Sequence, residues 1–280
     1  SWVRRYKAAG FQQMKVYSSM SLDAVRLVAE AAHREGMTVT GHVPEGLNAY
    51  QTIEAGQDQI NHVHFIGALV VGALPVKASR SDRMTAFANI DLDSPETEKA
   101  MGFLVSHHTV VDPTIALVEL STVTSAKPVG RFEPGAEKVP QELAGRLQNV
   151  GPPTSESELR EKVFTKCLGL VGKLHRAGVP IVAGTDQAVP GHSLHRELEL
   201  YVEAGMTPRE AIQAATRVPA RVMGLANELG TIEVGKRADL IIVKGNPLND
   251  ISQIRNVELV VTGGKIYRTD ELWRSVGFLP

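Results

Sequence analysis

The sequence predicts an α/β fold of barrel type, continued at its C-terminal end by a small β appendage. Three observations carry this. Strand-like and helix-like segments alternate along residues 11–64, at the roughly 20–30-residue spacing of parallel βαβ units. A long apolar stripe at helical spacing over 155–177 runs directly into the buried-strand pattern Val179-Pro-Ile-Val-Ala183. Beyond residue 229 the chain turns to short strands and tight turns, which signals an antiparallel region attached to the parallel one.

A helix is already under way at Trp2–Ala9, and residues 11–17 (Phe-Gln-Gln-Met-Lys-Val-Tyr) read as a strand. A helix over about 21–35 follows. Ser21 caps it, Val25, Val28, Ala29 and Ala32 form its apolar stripe, and Gly36 stops it. The strand Met37-Thr-Val-Thr-Gly-His42 comes next, then a short helix from residue 46 to Gly56, and the strand Gln59–His64. Residues 66–92 are mixed in pattern. Ser94-Pro95-Glu96 opens a helix, with proline at its first position. Thr109-Val-Val forms a strand closed by Asp112-Pro113, and 121–154, rich in proline and glycine, reads as a long excursion. Thr207-Pro-Arg-Glu210 is a capping box opening a short helix, and a second short helix covers 219–226. Asp239–Val243 and Glu258–Thr262 are strands, and Gly263-Gly264 turns the latter into Lys265-Ile-Tyr267 as a hairpin. The predicted division is a barrel-type region over 1–228 and an appendage over 229–280.

Composition narrows the function classes. With 280 residues, 43% hydrophobic and 22% charged, the chain has the make-up of a globular domain with a sizeable core. Thirty basic and 31 acidic residues leave a net charge of -1, with no basic run to serve a nucleic acid. No apolar stretch approaches the length of a membrane span. The single cysteine, Cys167, has no partner for an intramolecular disulfide and falls in a helix, where a packed thiol is expected.

The chemistry gathers at strand ends, where α/β barrels place their sites. Gly184-Thr185-Asp186 follows the apolar run ending at Ala183 and delivers a carboxylate; the earlier strands deliver Lys15, His42 and His62. Neutral imidazole and carboxylate suit zinc first, with manganese, iron or cobalt as alternatives. Asp186 has the chemistry for two duties, ligand and base toward a metal-activated water. Lys15 as an ammonium would be repelled by a cation, but its neutral amine reacts with carbon dioxide to give an anionic carbamate. His62 and His64 share one face of their predicted strand, which leaves either as the ligand. His192 and His195 lie in the predicted loop after Asp186 and are candidates to meet substrate.

Lys15, Gly41-His42-Val43, Ile60-Asn61-His62 and Gly184-Thr185-Asp186, in that order, resemble the amidohydrolase superfamily, in the branch of imidazolonepropionase and Xaa-Pro dipeptidase-like enzymes. Glu210–Thr216, Leu229–Leu240 and Gly245-Asn-Pro-Leu248 are similar to the C-terminal segment of that branch, the most specific part of the likeness. The resemblance implies a partial TIM-type (β/α)8 barrel, about strands four to eight, with a β-sandwich appendage. It implies Lys15 as the carboxylated lysine of the fourth strand, and His42 and His62 as ligands of strands five and six. Asp186 becomes ligand and general base of strand eight. The implied reaction is hydrolysis of an amide-type C–N bond in a peptide-like or cyclic small molecule.

One departure matters. The strand-one His-x-His pair of that superfamily has no counterpart, because Asn61-His-Val-His64 stands in another strand position. The chain is therefore expected to be a C-terminal piece with open barrel edges, which leaves association with a second copy open. Two rival readings follow: an inactive fragment or pseudoenzyme, and a barrel isomerase or lyase using Lys15 as a Schiff base. The absence of a glycine-rich phosphate-gripping turn late in the barrel counts against the second rival.

Overall fold

In the computed structural model, residues 2–72, 79–148, 150–186 and 188–280 are described. They form mixed α/β structure divided between two compact units. The first comprises Ser1–Thr114 and Thr165–Val182, the second Ile115–Phe164 and Ala183–Pro280.

The first unit is built from βαβ repeats. β1 (Gln13–Val16) pairs in parallel with β2 (Thr38–Gly41), and β3 (Gln59–Asn61) pairs in parallel with β4 (Val110–Asp112). Between β1 and β2 lies the helix Leu22–Arg34, started by the Ser21 hydroxyl accepting from the Ala24 N–H, as the sequence predicts. Its Val25, Ala29 and Ala32 pack on Val16 and Val39, so alternate residues of the two strands face the helix. Lys15 and Thr40, paired in register, therefore stand on the other face. Helix Pro95–Ser106 opens at Ser94 with proline in its first turn, and β4 follows it. Cys167 is buried and its thiol is pushed up to about 12 by loss of hydration, consistent with a packed, unreactive group.

Four expectations are corrected. The strand expected to reach His64 stops at Asn61, because His62 takes a positive φ of 72° and breaks the extended run. His64 then lies in the helix Val63–Val71, inside the stretch read as strand and mixed sequence; positions 73–78 of that stretch are outside the described residues. Among the described residues the strand expected before Gly184-Thr-Asp makes one parallel bridge, Val111↔Ile181, held by Val111 N–H to Pro180 and Val182 N–H to the Val111 carbonyl. The excursion 121–154 contains a helix, Gln141–Gln148, and two 3₁₀ turns.

The second unit carries the antiparallel sheet. β5 (Leu240–Val243), β6 (Val257–Thr262) and β7 (Lys265–Arg268) follow in order, and Gly263 and Gly264, at φ 56° and 74°, close the predicted two-residue hairpin. The helix Ser193–Glu203 is a further correction, since His192 and His195 were expected in a loop. His192 is its N-cap and His195 lies in its first turn. Buried charges anchor this helix. Arg196 forms a fork on Glu119 at 2.7 and 2.8 Å, and Arg255 reaches Glu199 and Glu133, each at 2.6 Å. Among the described residues no helix is long and apolar enough to cross a membrane.

Candidate functional site

The C-terminal ends of β2 and β3 bring two predicted residues together. Gly41 ends β2 at φ 130°, and a β-carbon built there would lie 2.1 Å from the Val16 carbonyl oxygen. Only glycine lets the backbone close on β1 at that point. His42 N–H then donates to the Val16 carbonyl at 3.2 Å, which fixes where its side chain leaves the sheet.

His62 is held from β4. Its N–H donates to the Asp112 carbonyl at 2.7 Å, and Val63 N–H donates to Pro113. Thr114, at φ 49°, places its hydroxyl 2.7 Å from His62 Nδ1. Asp186 in the other unit is also at positive φ, 46°. Non-glycine residues in this region are costly, and such positions cluster where function requires them.

The two rings converge: His42 Nε2 and His62 Nε2 stand 2.9 Å apart, with the ring planes edge to face. Each ring has its other nitrogen beside a hydroxyl, Ser18 Oγ at 3.4 Å for His42 and Thr114 Oγ1 for His62. A ring that gives its Nδ1–H to a hydroxyl keeps the Nε2 lone pair, the arrangement that orients an imidazole as a metal ligand. The 2.9 Å contact is a hydrogen bond in which one of the two Nε2 atoms carries the proton. Two nitrogens on one tetrahedral divalent cation lie about 3.3 Å apart at ordinary bond lengths. The pair is thus within a sub-ångström opening of the spacing of two ligands on one cation.

Aromatic side chains line the remainder. Tyr17 lies on His42, with centroids 4.3 Å apart, and Phe65 packs near both histidines. The ammonium of Lys15 is 5.5 Å from the Tyr17 ring, on the face away from the packed helix. His64 stacks on His62 at 5.5 Å. Loss of hydration first, then the charges of His62 and His42, pushes it down to about 4, although its side chain keeps solvent contact that weakens the first effect. Lys15, His42, His62 and His64 accordingly belong to one unit, and Asp186, His192 and His195 to the other. Among the described residues, no three His, Cys, Asp or Glu side chains gather as a cluster able to hold a metal.

His192 is buried in the second unit between the Gly135 backbone and the Trp273 ring, which stacks on it at 4.7 Å and 8°. Loss of hydration, then nearby positive charge, lowers both His192 and His195 to about 4, so both are neutral at pH 7.

Sequence reasoning missed Ser18, Tyr17, Phe65 and Thr114. The Lys15/Tyr17 alternation was a usable signal, because it puts both on one strand face. Ser18 and Thr114 had none, since only folding brings those hydroxyls to the imidazoles.

The parallel β1–β2 and β3–β4 pairings make the first unit an α/β fold, and comparison with known proteins defines the family. Residues 13–267 match the model described as "Amidohydrolase family", and the chain belongs to that family. It is similar to ochratoxinase of Aspergillus niger, 42% identical over 98 residues, which is 33% of this chain and 20% of that protein. Similarity to imidazolonepropionase of Geobacillus kaustophilus (strain HTA426) is 37% over 106 residues, 35% of this chain and 25% of that one. Among solved structures, a Xaa-Pro dipeptidase with methionine bound in its active site superimposes with a TM-score of 0.62 and 26% identity. That match covers 95% of this chain and 56% of the dipeptidase, so the chain spans little more than half the length of that relative.

Proposed function

We propose that this chain carries part of the active site of a metal-dependent hydrolase acting on amide-type C–N bonds. The observation that carries the proposal is the convergence of His42 Nε2 and His62 Nε2 at 2.9 Å, each ring with its Nδ1 beside a hydroxyl. His42 and His62 are the proposed ligands. Lys15, on the same strand-end surface, is proposed to join them as a carbamate formed with carbon dioxide. Asp186 keeps the role the family resemblance suggests, ligand and base. A divalent cation, zinc in the first instance, would supply Lewis acidity and bring the pKa of a water toward neutrality. The Asp186 carboxylate would accept the proton of the attacking water and return it to the leaving nitrogen. Tyr17 and Phe65 offer apolar walls to a small peptide-like or cyclic amide substrate.

The finer architecture is part of the same reading. We take residues 1–228 as an arc of a (β/α)8 barrel, about strands four to eight, and 229–280 as part of a β-sandwich appendage. The parallel pairings of β1–β2 and β3–β4, the antiparallel β5–β7 sheet and the coverage of the dipeptidase fold support it. Relatives named dipeptidase, imidazolonepropionase and ochratoxinase support the substrate class.

A second reading, a chain that binds a cation without turnover, is favoured by one observation: the described donor set stops short of three gathered ligands. Zinc titration by calorimetry, with His42→Ala and His62→Ala as controls, alongside hydrolysis assays on Xaa-Pro dipeptides and N-acyl amino acids, tests both. Zinc bound at one site that either alanine abolishes, with turnover, supports the hydrolase. Binding without turnover selects the second reading. No binding refutes both.

A further inference from the structure

The two histidines stand on different sheets. β1–β2 and β3–β4 are separate two-stranded ladders, so no continuous run of strand hydrogen bonds sets His42 against His62. Their 2.9 Å approach depends on whatever ties the end of β2 to β3. Part of the seam is ordinary: Asp58 N–H donates to the Val39 carbonyl, and the Thr40 hydroxyl donates to Asn61 Oδ1 at 2.8 Å. The second tie lies at the mouth, since Asn61 directly precedes His62.

A further side chain, Gln57, joins the same two strand ends. Gln57, 2% exposed, places its amide nitrogen 3.1 Å from the Gly41 carbonyl, 3.2 Å from the His42 carbonyl and 3.2 Å from the Gln59 carbonyl. Two N–H groups are thereby shared among three acceptors, two at the end of β2 and one in β3. One of the three belongs to the peptide that carries His42. The other end of the amide gains little. Gln57 Oε1 is buried and accepts from no described group, an arrangement less favourable than a satisfied amide. An apolar side chain of the same length would avoid that cost but take this donor from the three carbonyls. The glutamine's distinctive capacity is to hold three carbonyls of two sheets at once, at the point where His42 leaves its strand.

We infer that Gln57 is the positioning residue of the histidine pair: its amide sets the His42 backbone against β3 and so directs Nε2 at the partner nitrogen of His62. The inference rests on the proposed metal-binding reading of that pair, and its test separates the two.

The test uses the full chain, zinc alone as the probe, and Gln57→Met, which keeps length and volume but removes the donor. Leu104→Ala, a truncation of a fully buried residue in the helix Pro95–Ser106, serves as the control for lost stability. The expected result for Gln57→Met is a zinc dissociation constant weakened by about 10–100-fold, the range for outer-shell partners of ligating histidines. His42 ring resonances in ¹⁵N-edited NMR should shift at the same time. Leu104→Ala should lower the unfolding midpoint while leaving zinc affinity within about twofold, because its side chain makes no part of the seam. Equal zinc affinity in Gln57→Met and the parent overturns the positioning role and leaves the histidine site standing. Equal weakening in both variants also overturns it, by assigning the effect to lost stability. If the parent binds no zinc, the metal reading fails, and the ring spectra alone decide: unchanged His42 resonances in zinc-free Gln57→Met then overturn the inference too.

Discussion

Replacing Thr114 with valine removes one oxygen from the site and little else. The Thr114 hydroxyl is 2.7 Å from His62 Nδ1, the residue is 3% exposed, and His62 is 7% exposed, so neither group can turn to solvent. Threonine and valine are both β-branched, and the strain of φ 49° is therefore common to both and cancels. The remaining term is an imidazole nitrogen left without its partner in a dry place, about 1–3 kcal/mol. Thr114→Ser is the matched control: it keeps the hydroxyl and loses one methyl, about 0.8 kcal/mol. Urea unfolding at pH 7.5 with unchanged slope should place the valine variant below the serine variant. Zinc affinity should fall about 10–100-fold in the valine variant and remain near parent in the serine variant. A valine variant at least as stable as the serine one, with equal zinc affinity, refutes the claim that this hydroxyl orients His62.

Three other outcomes are expected. Arg255→Met leaves Glu133, 1% exposed, without its guanidinium while Glu199 keeps Arg196 at 3.2 Å, and should cost about 3–5 kcal/mol by urea unfolding. Stability should fall as pH is lowered from about 6.5 toward 4, because His192 and His195 stay neutral in the fold until about 4 while the unfolded chain takes up protons near 6.5. The sign follows from the unfolded state binding more protons in that window; each histidine adds at most about 1.4 kcal/mol per pH unit, and His195→Gln should flatten the slope in urea titrations across it. Gly41→Ala should destabilise by more than about 1 kcal/mol and abolish zinc binding, since the added carbon meets the Val16 carbonyl at a φ that alanine avoids; calorimetry showing parent-like affinity would count against the role given to that glycine.

Local chemistry wrote much of this protein plainly. The Ser21 cap, the proline after Ser94, the Thr207 capping box and the Gly263-Gly264 turn all act within a few residues of themselves, and each element stands where its signal placed it. The strand-end positions of Lys15 and His42 were equally legible, because two-residue alternation and a glycine stop are local properties. Other elements were hidden for definite reasons. Val63–Val71 is apolar on nearly every side, so its pattern carries no period to separate helix from strand. Ser193–Glu203 begins at a histidine that makes no side-chain cap, so its start is unmarked although Leu194, Leu198 and Tyr201 stand at helical spacing. The run ending at Ala183 has strand chemistry, yet a strand is a relation between two chains of backbone, and among the described residues Val111 offers it one bridge.

The histidine pair shows the same division more sharply. Residue type and spacing nominate His42 and His62 one at a time. Their meeting at 2.9 Å depends on Thr114, 52 positions from His62, on Ser18, 24 from His42, and on a buried glutamine amide spanning two sheets. Such partners leave no periodic trace in a sequence, because hydrogen bonds between distant segments form only after the chain has closed the loops between them.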